Sequence, residues 1–274
     1  MNTIGWCIRL LARGLAFVGL TFTRMANFLW ELLPTILSPD ELTRHVQARY
    51  APVYTPQSAP TKEEMESDNL DAWEIDVLDR YRINSGRMLA MGTGWGREAF
   101  AIARRGVMVI GVETNPVAVH ETQRYARHAG ISARFHRADF TVLPYADSSF
   151  DYALLATTMY SAIPGTERRQ AWLGRLSRLL KPGGLAMLSF DRELPPPSCT
   201  RAIIKPLIAL LQKLPGANRD YRPGDSYSAE HYMHSFQSEE EIRAELTGAG
   251  ASIRELGWVK GYAIVTFPAP QSGT

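Results

Sequence analysis

The sequence is short of the features that several classes of protein need. Its two cysteines, Cys7 and Cys199, lie far apart and have no histidine cluster beside them, so neither a disulfide framework nor a zinc site is expected. The 30 basic and 28 acidic residues leave a net charge of +2, which does not indicate a nucleic-acid partner. The longest uncharged stretch near the N-terminus, Gly14–Thr23, is far shorter than the roughly 18 residues of a membrane span.

Residues 1–60 are expected to form an amphipathic helical extension followed by a proline-containing linker. At helical spacing, Arg9, Arg13 and Arg24 fall on a narrow polar stripe, and most of the remaining circumference up to Leu33 is apolar. Two alternatives stay open for this apolar face. It packs against the rest of the chain or a second copy, or it lies in a membrane interface.

From residue 61 onward, short apolar strands alternate with helices, which is the pattern of a parallel α/β sheet. The strand Arg87–Met91 runs into the glycine loop Gly92–Gly96, and the strand Val107–Val112 ends at Glu113. Glycines let the backbone approach a ligand, and an acid at that strand end can accept hydrogen bonds from ribose hydroxyls. Arg97 stands where a dinucleotide site has its third glycine, and no Gly-Lys-Ser/Thr follows as a P-loop would require.

The spacing Gly-x-Gly-x-Gly resembles the class I S-adenosylmethionine (SAM)-dependent methyltransferases, and further segments match that family downstream. These segments are Asp139-Phe140, Leu143-Pro144-Tyr145, Ser149–Tyr152 and Leu179–Gly184. The resemblance covers residues 70–192 well and 236–268 more loosely, and it is closest to the small-molecule branch that includes quinone and lipid methyltransferases. It implies an α/β fold: a doubly wound, Rossmann-like seven-stranded sheet of order 3-2-1-4-5-7-6 with helices on both faces.

Residues 192–237 are expected to form an insertion after strand five that serves as a helical lid. Within it, Arg201–Leu214 carries apolar residues on one helical face and basic residues on the other, and Pro206 either kinks or starts this helix. A lid that covers the pocket and a basic helix at a membrane surface both stay open. The expected division is therefore 1–60 for the extension and 61–274 for the methyltransferase domain.

The resemblance implies SAM as the cofactor, held around the strand ends. The residues expected to bind it are Met91, Gly92, Thr93, Gly94, Gly96, Glu113, Thr114, Asp139, Phe140 and Thr157. In the family an acid two residues before the first glycine helps to position the methionine end of the cofactor, and this chain has Ala90 there. That departure keeps an alternative function open, a SAM-fold scaffold subunit with weak or no cofactor binding.

A base is needed only if the acceptor must lose a proton before it attacks the methyl group. The candidates for this catalytic role are Tyr160, Asp191, His231 and His234. No third ligand accompanies the two histidines, so no metal is predicted.

We expect an enzyme that methylates a small, lipophilic acceptor such as a lipid or quinone. The apolar segments 1–38 and 201–214 favour peripheral membrane association. The location expected is cytoplasmic or membrane-associated, and a homo-oligomer stays open.

Overall fold

The computed structural model describes residues 19–23, 25–26, 28–30, 32–67, 70–193, 200–228 and 231–268. The helices from residue 39 onward are α1 (Pro39–Tyr50), α2 (Lys62–Glu66), α3 (Ala72–Arg80), α4 (Arg97–Arg104), α5 (Pro116–His128), α6 (Thr166–Leu179), α7 (Thr200–Leu211) and α8 (Glu239–Gly248). The strands are β1 (Arg87–Met91), β2 (Met108–Glu113), β3 (Ala133–Arg137), β4 (Phe150–Leu155), β5 (Leu180–Ser189), β6 (Asp225–Ser228), β7 (His231–His234), β8 (Ser252–Gly257) and β9 (Tyr262–Thr266).

Seven of these strands form one sheet in the order β3-β2-β1-β4-β5-β9-β8. The strands β1 to β5 pair in parallel, whereas β9 runs antiparallel to both β5 and β8. The last two strands of this sheet are the predicted strands six and seven, so the predicted strand order and the doubly wound α/β fold are confirmed. The strands β6 and β7 form a separate antiparallel hairpin within the insertion.

The elements differ from their predicted bounds mainly at the ends. The second strand, expected over Val107–Val112, runs over Met108–Glu113, whereas the first has the predicted bounds Arg87–Met91. Pro206 lies inside α7 and does not start it. The hairpin β6–β7 was not expected, because strands of four residues carry too little alternation to stand out from a loop.

The predicted N-terminal helix lies largely outside the described residues, which exclude residues 1–18. The described residues between 19 and 36 are helical, and α1 follows them after a short break. In the part of the chain that the structure describes, no helix combines the length and the apolar character needed to cross a bilayer.

Alternation along β1 sends its side chains into two separate cores. Leu89 and Met91 join the core that α6 and α8 cover. Met88 and Ala90 join the core on the opposite face, which α3, α4 and α5 cover. A central parallel strand that is buried on both faces needs apolar side chains on both. This is why apolar and polar residues do not alternate along β1, although the direction of its side chains does.

A buried ion pair joins α6 to α8 on the first of these faces. The Nε and Nη2 atoms of Arg169 each donate to the carboxylate of Glu245 at 2.7 Å. The hydroxyl of Tyr160 donates to the same carboxylate at 2.6 Å. The charges are shielded from water, so their desolvation is compensated only while this set of hydrogen bonds is complete.

Removal of one charge of this pair should strongly destabilise the protein. The substitution Glu245→Gln keeps the shape but leaves a buried guanidinium uncompensated, so we expect the free energy of unfolding to fall by about 3–5 kcal/mol in urea titrations. The change Glu240→Gln, at an exposed position of the same helix, should alter it by less than about 0.5 kcal/mol. Equal stability of the two variants would contradict the structural role given to the pair.

Candidate active site

The carboxyl ends of β1, β2 and β4 meet at one edge of the sheet. Met91 pairs with Val112 of β2 on one side and with Leu155 of β4 on the other, so the three strands end level with one another. The strand order reverses beside β1, and open α/β sheets bind ligands outside the strand ends at such a point. A cavity of about 600 Å³ opens there, a size typical of small-molecule sites.

The glycine loop Gly92–Gly96 borders this cavity and brings the backbone close to it. Gly94 has a φ of +49°, in the left-handed region, and a Cβ there would lie 2.6 Å from the hydroxyl of Tyr54. The hydroxyl of Thr93 is buried and has no hydrogen-bond partner among the described residues. A buried polar atom of this kind at a cavity wall is what a ligand-binding site leaves for its ligand.

Glu113 ends β2, and backbone groups hold its carboxylate at the edge of the cavity. The N–H of Gly94 donates to Oε2 at 3.0 Å. The N–H groups of Thr114 and Asn115 donate to Oε1 at 2.7 and 2.9 Å. The hydroxyl of Thr114 also donates to Oε1, at 3.0 Å. These charge-assisted hydrogen bonds fix the carboxylate, and Oε2 keeps a lone pair that can accept from a ligand hydroxyl.

Asp139 follows β3 and ties the N-terminal extension to the site. Its Oδ1 accepts from the N–H and hydroxyl of Thr141 at 2.8 and 2.7 Å, and its Oδ2 accepts from Gln47 of α1 at 2.7 Å. Thr43 and Val46 of the same helix also border the cavity. The extension therefore supplies part of the wall opposite the sheet.

Eight of the ten residues predicted to bind the cofactor border the cavity. They are Gly92, Thr93, Gly94, Glu113, Thr114, Asp139, Phe140 and Thr157. Met91 is buried in the core, and Gly96 caps the N-terminus of α4 with a φ of +82°. Proximity to the cavity does not test a contact with a cofactor, so the individual roles stay predictions.

The candidate bases Tyr160 and Asp191 do not border the cavity. Burial, and then the negative charge of Glu245, raise the pKa of Tyr160 well above the usual range of a phenol. The backbone N–H of Asp191 donates to the hydroxyl of Ser161 at 2.8 Å, and its carboxylate accepts from Ser235. Both side chains therefore already serve structural hydrogen bonds.

The candidate bases His231 and His234 lie in the hairpin strand β7, also away from the cavity wall. Their spacing of three along a strand puts them on opposite faces, and only His234 is fully buried. Its Nδ1 lies 2.7 Å from Asp225. Burial opposes a charge on this ring, but the hydrogen bond to Asp225 and the carboxylate of Glu241, 3.5 Å from Nε2, raise the pKa of His234 overall. The four catalytic assignments stay predictions that the geometry does not favour.

Several residues that border the cavity were not predicted from the sequence, among them Gln47, Tyr54, Arg97 and Glu98. Arg97 and Glu98 could have been found, because they begin α4 directly after the glycine loop. No local pattern marks Gln47 or Tyr54, since only the tertiary fold brings α1 and the segment after it to the site.

Arg97 and Glu98 form a charged cluster with Glu74 of α3. Arg97 lies 2.5 Å from Glu98 and 3.4 Å from Glu74, measured between nitrogen and carboxylate oxygen. The side chain of Glu74 is almost fully buried. Burial, and then the negative charge of Glu98, raise the pKa of Glu74 to about 7.

The turn after β4 carries backbone strain next to this cluster. Thr157 and Thr158 have φ values of +56° and +58°, which β-branched residues rarely adopt. Strain of this kind is commonly retained where it positions a ligand-binding group. The hydroxyl of Thr157 donates to Glu98 at 3.3 Å, and the N–H of Thr158 donates to the hydroxyl of Ser189 at 3.1 Å.

Comparison with known proteins identifies the domain that carries this site. Residues 88–184 match a family model described as a methyltransferase domain, and the strand order and glycine loop are those of the class I, SAM-dependent group. The chain contains a class I SAM-dependent methyltransferase domain. The family predicted from the sequence is thereby confirmed.

A relative in Mycobacterium sp. (strain JLS) is described as an uncharacterized methyltransferase. It is 39% identical over 110 residues, which are 40% of this chain and 40% of the relative. The aligned region is therefore less than half of either chain, and it does not extend the domain's identity to the whole protein.

Two solved structures share the fold of the methyltransferase domain and its surroundings. A SAM-dependent methyltransferase from Methanosarcina mazei is 22% identical, with a TM-score of 0.50 over 70% of this chain and 97% of that one. The 1,6-didemethyltoxoflavin-N1-methyltransferase from Burkholderia thailandensis is 17% identical, with a TM-score of 0.57 over 84% and 89%. At these identities the likeness is one of fold.

The raised pKa of Glu74 should appear in the pH dependence of stability. A carboxyl whose pKa is higher in the folded than in the unfolded state stabilises the fold when protonated, and this contribution is lost as pH rises from about 4.5 through about 7. When the pH is raised from about 5 to about 8, the unfolding free energy of Glu74→Gln should therefore rise by about 2–3 kcal/mol relative to that of the unsubstituted protein. Urea titrations at both pH values measure this difference. The exposed position Glu63 provides the control, since Glu63→Gln should show no such gain.

Proposed function

We propose that the protein transfers a methyl group from SAM to a small acceptor. The observation that carries this function is the cavity at the carboxyl ends of β1, β2 and β4, where the glycine loop, Glu113 and Asp139 come together. The residues present fit the cofactor, since the buried hydroxyl of Thr93 has no hydrogen-bond partner among the described residues and Oε2 of Glu113, which accepts from Gly94, has a lone pair left for a ligand hydroxyl.

Each of these groups suits a different part of the cofactor. The carboxylate of Glu113 would accept from the ribose hydroxyls, and Asp139 with Phe140 would bind the adenine. The loop Gly92–Gly96 would lie against the methionine portion, where the left-handed φ values allow close approach of the backbone. The bound cofactor supplies a methyl group that its sulfonium already activates, so the protein contributes mainly orientation and exclusion of water.

The acceptor side of the cavity is largely apolar and supports a lipophilic acceptor. Its apolar residues come from α1, from the turn after β4 and from α6: Val46, Met159, Ala162, Ile163, Pro164, Ala171 and Trp172. A wall of this kind favours an acceptor whose apolar surface would otherwise remain exposed to water. A lipid or quinone is the acceptor class we propose.

Peripheral membrane association belongs to the same proposal. The helical residues before α1 expose the apolar side chains Leu20, Phe22, Met25 and Leu29, with exposed fractions of 48%, 63%, 52% and 57%. At helical spacing Phe22, Met25 and Leu29 fall within about 60° of one another, and an apolar face of this kind can sit in the headgroup region of a bilayer. Such seating would raise the local concentration of an acceptor dissolved in the membrane.

Cofactor binding is tested by calorimetric titration of the protein with SAM and with S-adenosylhomocysteine. We expect micromolar binding, and a loss of at least about 10-fold in Glu113→Ala because the carboxylate's hydrogen bonds to the ribose disappear. The control Glu121→Ala removes a partly buried acid of α5 that pairs with Arg124 and does not border the cavity, and this variant should bind as the unsubstituted protein does. Absence of binding by the unsubstituted protein would instead support the scaffold alternative that Ala90 raises.

Membrane association is tested by sedimentation of the full chain with vesicles of phosphatidylglycerol and phosphatidylcholine. The double variant Phe22→Ser, Leu29→Ser should lose several-fold in bound fraction, because two exposed apolar side chains no longer enter the bilayer. The matched control is Val259→Ser, since Val259 is 77% exposed at a distant site. If the protein does not bind vesicles but forms a stable dimer, the apolar face of the helical residues before α1 is an interface between copies.

A further inference from the structure

The charged cluster of Arg97, Glu98 and Glu74 lies beside the glycine loop, and two of its members border the cavity. The carboxylate of Glu98 accepts from Arg97 at 2.5 Å and from the hydroxyl of Thr157 at 3.3 Å. Its side chain is 10% exposed, whereas that of Arg97 is 33% exposed. A carboxylate and a guanidinium thus stand next to each other at one end of the cavity.

We propose that Glu98 binds the ammonium group, and Arg97 the carboxylate, of the amino-acid end of the cofactor. This inference rests on the proposed function and goes beyond it, because it assigns the subsite to the first turn of α4. The amino-acid end is a zwitterion, and an adjacent anion and cation match it in charge. Thr157 acts as a positioning residue, since its hydroxyl holds Glu98 from the end of β4.

The position two residues before the first glycine cannot supply the anion in this chain. Ala90 carries no charge, and its methyl group is buried in the core on the α3–α4 face. An ammonium group that enters the cavity beside the loop therefore needs an acid from another element. The helix that follows the loop supplies one two residues after Gly96.

Three acids border the cavity, and two of them are already held at other places. Glu113 accepts three backbone N–H groups at the end of β2, and Asp139 accepts from Thr141 and Gln47 beyond β3. Glu98 is the remaining acid among the cavity-lining residues that the structure describes, and it lies in the first turn of the helix that follows the glycine loop.

Among the arginines of the cavity wall that the structure describes, Arg97 is the one at the glycine loop. Arg168 and Arg175 lie on α6, across from the loop, where they pair with Asp40 and Asp147. Arg175 also donates to backbone carbonyls of the turn before β4. Arg97 begins the helix directly after the loop, so it is the cation next to Glu98.

Two further observations indicate that a ligand belongs at this end. The hydroxyl of Thr93, which is 7% exposed, borders the same cavity without a hydrogen-bond partner among the described residues. The two carboxylates of the cluster, Glu98 and Glu74, face a single nearby guanidinium. Arrival of an ammonium group would relieve the repulsion between these carboxylates.

The test is calorimetric titration with three ligands that differ in the amino-acid end. SAM carries both the ammonium and the carboxylate, decarboxylated SAM carries only the ammonium, and 5′-methylthioadenosine carries neither. Glu98→Gln should weaken SAM and decarboxylated SAM by about 10- to 100-fold and leave 5′-methylthioadenosine unchanged. Arg97→Gln should weaken SAM alone, because decarboxylated SAM has no carboxylate to lose.

The matched control is Glu167→Gln, an exposed acid in the first turn of α6 that should change none of the three affinities. Retained binding of 5′-methylthioadenosine shows that each variant is folded with an intact adenosine site. Equal affinity of Glu98→Gln and the unsubstituted protein for SAM would overturn the inference and leave the proposed function standing. Failure of the unsubstituted protein to bind any of the three ligands would overturn the proposed function itself. If Glu98→Gln does not fold, the test rests on the preference of Arg97→Gln for SAM over decarboxylated SAM. Loss of this preference relative to the unsubstituted protein supports the subsite, and an unchanged preference opposes it.

Discussion

Parallel hydrogen bonding of β1 to β2 on one side and to β4 on the other sets where the polar groups of the cavity stand. Because Met91 is level with Val112 and Leu155, the glycine loop, Glu113 and the turn at Thr157 emerge side by side. A slip of one residue would exchange the two core faces of β1, so burial on both faces holds the register. The site thus depends on the packing of a strand that contributes no polar side chain to it.

The rest of the cavity is built by segments that are distant in sequence. Gln47 of α1 donates to Asp139, and Trp30 stacks on Tyr227 of the hairpin at 5.2 Å between ring centres. The hairpin in turn rests near the buried pair of Arg169 and Glu245, since Phe236 lies under the guanidinium at 5.3 Å. The N-terminal extension therefore contacts both the cavity wall and the hairpin, while no residue of 192–237 that the structure describes borders the cavity itself.

This chain has Ala90 where the family has an acid, and it has an acid, Glu98, at the start of α4. The surroundings of the two positions explain why a charge is stable at the second and not at the first. Position 90 points into the apolar core, where an unpaired carboxylate would be costly. Glu98 carries its charge at the cavity wall, beside Arg97 and Thr157, where hydrogen bonds offset the cost of burial. In the proposed arrangement, the anion that binds the ammonium group of the cofactor comes from a helix instead of a strand.

Glycine spacing, strand ends and caps are local features of the chain, and they were sufficient to show the family resemblance, which implied the strand order and eight of the cavity-lining residues. The sequence could not show that the candidate bases Tyr160 and His234 lie away from the cavity, since their hydrogen bonds to Glu245 and Asp225 are made only when the elements pack together. Nor could it place Gln47 and Tyr54, which reach the site from a separate segment. Local motifs can be read from the sequence by themselves. Contacts between residues that are far apart in the chain depend on how helices and strands pack their apolar faces together.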